Sequence, residues 1–111
     1  MKNKKQLVFL EPVHPETDAD EALIRLVKVL QDSGEMKSKF NTIRQIIADS
    51  KVKDFTPLYR ALYDEVDSYA SGKVGHTILN IAEGQYKDSM VVDKEINVMA
   101  MILNILMTLG K

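Results

Sequence analysis

Cysteine is missing from this chain of 111 residues. That excludes a disulfide framework, a thiolate nucleophile and cysteine-ligated metal, and an unstapled small domain suits a reducing compartment. The cytoplasm is the expected location. Net charge is nearly missing too: fifteen Lys and Arg stand against sixteen Asp and Glu, a formal −1. No broad positive field draws in a nucleic-acid backbone, so DNA binding by this chain alone is not expected. Long apolar runs are also lacking. The basic start, Met1 to Lys5, is followed by Leu7 to Leu10 and then by Glu11 and Pro12, too short for a signal-peptide core. The most apolar stretch, Ile96 to Leu109, is interrupted by Asn97, Asn104 and Thr108 and falls short of the roughly 20 residues that span a bilayer.

What is present is ordinary globular material, 45% hydrophobic and 28% charged, in a length that suits one core. Residues 1–16 contain Pro12 and Pro15, a β-prone Leu7-Val8-Phe9-Leu10 and no helical period, and they read as an extended or partly disordered leader. Residues 17–111 read as one helical domain. Thr17-Asp18-Ala19-Asp20-Glu21 supplies capping and early acidic residues ahead of Leu23, Leu26, Val27 and Leu30, which predicts a first helix to about Ser33 with Gly34 as its stop. Met36, Phe40, Ile43 and Ile47 give a second amphipathic stripe. Thr56-Pro57 opens a third helix, carrying Leu58, Leu62, Val66 and Tyr69, up to the break at Ser71-Gly72-Lys73. Ile78 to Tyr86 predicts a fourth, weakened at Gly84 by about 1 kcal/mol of propensity. Asp93 caps a fifth that is apolar on nearly every face. The expected fold class is all-α, an irregular bundle of about five helices.

Residues that carry chemistry are few. Gly34, Gly72, Gly75, Gly84 and Gly110 do not make a phosphate loop, and Gly72-Lys73 is a helix stop followed by a lysine. His14 and His76 are too separated for a recognisable metal site; His76, beside Gly75 and Thr77, suits a helix start better than a catalytic base. Asp64 with Glu65 and Asp93 with Glu95 fit solvated faces and caps better than an acid–base pair. Lys37, Arg44, Lys51 and Lys53 are diluted by Asp49 and Asp54. No catalytic, cofactor-binding or metal-binding residue is expected. The four tyrosines, Tyr59, Tyr63, Tyr69 and Tyr86, suit core packing with the hydroxyl at the rim, then a subunit interface, and least of all stacking on bases.

Three segments carry a likeness: Phe55-Thr56-Pro57-Leu58-Tyr59-Arg60-Ala61-Leu62-Tyr63-Asp64, then Ile81-Ala82-Glu83-Gly84-Gln85-Tyr86, then Val91-Val92-Asp93-Lys94-Glu95-Ile96-Asn97. In order and spacing, over roughly residues 20–111, they resemble the C-terminal collar of clamp-loader small subunits of the replication factor C type, especially those of T4-like bacteriophages. The resemblance implies an oligomerisation module that supports DNA replication by holding AAA+ ATPase subunits in a ring. The phosphate loop, the Mg-binding acidic motif and the trans-acting arginine belong to an ATPase module with no counterpart here, so ATP hydrolysis is not carried over. The implied partners are other clamp-loader subunits or further copies of the chain, with DNA and the sliding clamp reached only through the parent's other modules.

The last helix independently asks for a partner, because four short helices can hardly enclose an all-round apolar one. The expected interface is Val98, Met101, Ile102, Ile105 and Leu109, with Met99, Leu103 and Leu106 turned inward. A rival expectation is a free-standing adaptor that receives a partner helix in a groove lined by Met99, Met101 and Met107.

Overall fold

The computed structural model describes residues 18–110, and the leader expected over residues 1–16 lies outside the described residues. The described residues form an all-α bundle of six helices: α1 (Asp18–Gln31), α2 (Met36–Ser50), α3 (Thr56–Asp64), α4 (Val66–Tyr69), α5 (Val74–Asp88) and α6 (Lys94–Leu109). None of them is long and apolar enough to cross a membrane.

The bundle is two antiparallel helical hairpins bridged by α3 and α4. In the first, Lys39 near the start of α2 donates to the Leu30 carbonyl at 3.4 Å and to that of Asp32, so a cation meets the carbonyl end of α1, where unpaired C=O groups and the helix dipole favour it. At the other end of α2, the Ser50 hydroxyl donates to the Ile47 carbonyl at 2.7 Å and accepts from the Val52 amide at 3.3 Å. The chain leaves α2 through Lys51 in the left-handed region, φ 57°, a position that usually takes glycine.

The single third helix expected up to Ser71 is in fact two. α3 ends at Asp64, Glu65 departs from helical geometry (φ −100°, ψ 10°), and α4 resumes at Val66. The break is stabilised from within, because the buried Tyr69 hydroxyl donates to the Leu62 carbonyl at 2.8 Å. That carbonyl lies in the last turn of α3, where helical partners run out. Burial raises the Tyr69 pKa, so the phenol stays a donor. Thr56 is the first helical residue of α3, and the Asp54 carboxylate accepts from its amide at 3.0 Å. That bond to the Thr56 N–H holds the Asp54 carboxyl below its ordinary range.

In the second hairpin α5 continues through Gly84 to Asp88, although glycine weakens a helix. Packing explains why. A Cβ at position 84 would lie 2.5 Å from Met101 Sδ and 3.1 Å from Met101 Cβ, so the two backbones approach closely only because no side chain stands between them. The Asn97 amide donates to the Gly84 carbonyl at 2.9 Å in this buried contact. Asn80 donates to Thr108 Oγ1 at 3.0 Å and Lys73 to the Thr108 carbonyl at 3.2 Å. The turn at Gly72, φ +83°, does require glycine. Leu26, Ile43, Leu62, Val98, Ile102 and Ile105 are among the fully buried side chains, and α6 packs against α5 and α2.

Candidate protein-docking surface

α6 is the element whose surface most needs explaining. Asp93 caps it by accepting from the Ile96 amide at 3.1 Å, Lys94 and Glu95 are its only charged residues, and from Ile96 to Leu109 it has none. With about 100° of rotation per residue, its sides separate cleanly. Asn97, Met101 and Thr108 face α5, where they meet Gly84 and Asn80. Val98, Ile102 and Ile105 sit at 0% exposure in the core. The remaining side carries Ile96, Ala100, Leu103 and Met107, at successive spacings of four, three and four. All are exposed, Ile96 at 69%, Leu103 at 39% and Met107 at 42%. The stripe runs for about 17 Å at 1.5 Å per residue.

This orientation corrects the one expected from sequence. Val98, Met101, Ile102 and Ile105, expected at an interface, are buried in the chain's own core, and Leu109 is half-buried. Of the residues expected inside, Leu106 is buried and Met99 half-buried, while Leu103 faces water. The physical reason lies in the polar residues of α6. Asn97 and Thr108 have partners on α5, so they mark a packed side and not the solvent side, and Gly84 opens the space that Met101 fills. Met99, Met101 and Met107 point to three different sides, half-buried, buried and exposed, and do not line one groove.

A second apolar strip lies on α5. Leu79 (68% exposed), Ala82 and Tyr86 (69%) follow at spacings of three and four, and Met90 continues the line just past the helix end. Neither Leu79 nor Tyr86 stood out in the sequence as a surface residue, because their spacing also suits a core stripe. Of the tyrosines, Tyr59 and Tyr69 are core residues, whereas Tyr63 and Tyr86 are exposed. Arg60 lies over the Tyr63 ring, 5.4 Å from its centroid, and pairs with Asp64 at 3.0 Å. That pair accounts for one of the carboxylates weighed for acid–base work, and the cap at the start of α6 accounts for Asp93.

Among the described residues no group of three or more His, Asp or Glu is placed to hold a metal ion; His76 is exposed in the first turn of α5, and His14 lies outside the described residues. An apolar recess where α1, the end of α2 and the start of α3 meet is lined by Leu23, Ile46, Val52 and Phe55. Its hydroxyl, Ser50, is committed to backbone partners. The Tyr59 hydroxyl donates to Asp88 Oδ1 at 2.8 Å, and Asp88 Oδ2 lies 3.4 Å from the Lys94 ammonium, which also donates to the Asp88 carbonyl. Burial first, then the bond to Asp88, raises the Tyr59 pKa far above its ordinary value. The group is a donor that ties α3 to the α5–α6 turn. Tyr59→Phe is expected to cost about 1.5–3 kcal/mol, the worth of a hydrogen bond to a charged group, read as a lower urea midpoint at unchanged slope.

Comparison with protein-family models, with curated proteins and with solved structures finds no match for the chain.

Proposed function

We propose that this chain is an association module that docks onto further copies of itself through the solvent face of α6, and that it does so as the collar of a DNA clamp-loader small subunit in the cytoplasm. The observation that carries the docking role is the uncharged stripe Ile96, Ala100, Leu103 and Met107. Single exposed apolar residues are ordinary on a protein surface, but an aligned row with no charge along fourteen residues of helix is the composition of an interface core, where charged residues are depleted. The clamp-loader assignment rests on the resemblance in Phe55 to Asp64, Ile81 to Tyr86 and Val91 to Asn97. These segments lie on α3, on α5 and at the capped start of α6.

In this role the chain does no chemistry. Holding neighbouring ATPase modules together raises their effective concentration, so that nucleotide bound at one module is completed by a residue from the next. The near-neutral charge fits a part that meets protein and leaves DNA to other modules.

Sedimentation velocity over about a hundred-fold range of concentration tests the docking role by mass action. The parent chain is expected to shift from monomer to larger species. Leu103→Glu, which places a charge in the stripe without touching the core, is expected to weaken association at least tenfold, the ratio to which about 1.4 kcal/mol corresponds. A parent chain that stays monomeric throughout the range contradicts the proposal.

A further inference from the structure

We infer that the cleft between α1 and α3 is the seat of the chain's own upstream apolar run, Leu7-Val8-Phe9-Leu10, laid back along α1 as an extended strap. Two apolar depressions meet beside the start of α1, since Asp20 and Leu23 border both. One is the recess lined by Ile46, Val52 and Phe55. The other is an open trough lined by Leu23, Ile24, Val27 and Ala61 and bordered toward the end of α1 by Gln31, Asp64 and Glu65. α1 and the α3–α4 segment run side by side in the same direction. Leu23 lies by Pro57 and Leu58 at the start of α3, and Gln31 at the end of α1 donates to Ser68 Oγ at 2.9 Å. Ile24 is 52% exposed at the trough, so apolar surface there lacks cover among the described residues.

Reach, shape and charge select this occupant. Leu10 stands eight residues before Asp18, a path of up to about 26 Å, whereas the trough follows α1 from Asp20 to Gln31 for only about 16 Å. A chain that turns back at Pro12 and Pro15 therefore lays residues 7–10 along it. A segment tethered this closely arrives at an effective concentration on the order of millimolar. Residues that precede proline favour extended backbone, and four apolar residues with no helical period suit a narrow trough. Leu7 and Phe9 share one side of an extended run and enter the trough together. Charge sets the direction. With the chain running back along α1, Lys2, Lys4 and Lys5 come to the end of the trough where Glu65 and Asp67 add to the Asp64 already paired with Arg60. Against those acids stands Lys28. The uncharged α6 stripe of another copy has nothing to match that acidic end. The strap covers α1 and α3 and leaves the α6 stripe open, so it is independent of the docking role proposed above.

A spin label tests this in the full chain. Because the chain has no cysteine, Gln6→Cys carries a nitroxide at one known place, and methyl spectra with the label oxidised and reduced report what lies near it. The signals of Leu23, Ile24 and Val27 are expected to be lost in the oxidised form and to return on reduction, in dilute solution as well as concentrated, with Leu103 on α6 unaffected. Phe9→Asp in the same labelled chain is expected to restore those signals, and so is Ile24→Asp, an exposed position on the trough side; if one of the two fails to fold, the other decides. Methyls of Leu23, Ile24 and Val27 that ignore the label, or losses that survive both substitutions, overturn the inference. Losses seen only between labelled molecules and unlabelled, isotope-enriched ones in a mixture also overturn it, because the occupant is then the upstream run of a second copy.

Discussion

Met101→Asp is expected to unfold the chain, not to release monomers from an assembly. Met101 is buried against Gly84, where α5 and α6 approach closely. An aspartate there loses the packing of a large side chain, about 2–5 kcal/mol, and sets a carboxylate beside the Gly84 carbonyl with no cation in place. An uncompensated buried charge costs a further 3–5 kcal/mol or so. The two effects share one site and are not strictly additive, but even the larger alone approaches the 5–15 kcal/mol or so that holds a domain together. In a domain of this size each kcal/mol moves the melting midpoint by about 4–8 °C. The far-UV signal is therefore expected to be largely lost at room temperature, or the midpoint to fall by at least ~20 °C. Near-parent melting would show that position 101 faces water and that the orientation of α6 is wrong. Leu103→Glu, two positions on, is expected to melt like the parent, and the contrast between the pair reads the rotation of the helix directly.

Gly84→Leu has the next largest expected effect. Leucine is the better helix former by roughly 1 kcal/mol, so if Gly84 were an accident of sequence the variant would be more stable. Against that stands a Cβ built 2.5 Å from Met101 Sδ and 3.1 Å from Met101 Cβ. The thioether can move aside, but the Met101 Cβ moves only with α6. Overpacking of this kind costs about 1–3 kcal/mol and occasionally more, and separating the helices also breaks the buried Asn97 to Gly84 hydrogen bond, worth about 1 kcal/mol. A net loss of about 1–3 kcal/mol is expected, seen as a lower midpoint in urea and in heat. Gly84→Ala, which keeps the Cβ and omits the rest, is expected to fall between the two. An increase in stability for either would contradict the close approach.

Much of this architecture is legible in the sequence. The apolar spacing in Met36, Phe40, Ile43 and Ile47, the Thr56-Pro57 opening, the Gly72 turn and the Asp93 cap each correspond to a local rule about backbone geometry or hydrogen-bonding need, and α2, α3, the α4–α5 turn and α6 follow from them. What escaped depends on partners distant in sequence. The division of α3 from α4 is stabilised by Tyr69 reaching back to Leu62, and no propensity signals it. The end of α2 at Lys51 lacks the expected glycine. Gly84, which by propensity alone weakens α5, instead sets how closely α5 and α6 pack.

The rotation of α6 escaped for the same reason. A helix apolar on nearly all sides gives periodicity little to work with, and Asn97, Asn104 and Thr108 seem at first to mark its wet side. Asn97 and Thr108 instead satisfy α5, across contacts that local sequence does not signal. One signal was available in Gly84: an isolated glycine inside a helical pattern often has a packing reason, and pairing it with α6 would have placed Met101 inside.

Methyl NMR of the full chain, recorded from dilute to concentrated solution, tests the docking face most directly. The account predicts concentration-dependent shifts or broadening at Ile96, Leu103 and Met107, with Val98, Ile102 and Ile105 unmoved in the core. Spectra that do not change with concentration, or changes that spare Ile96, Leu103 and Met107, would contradict it.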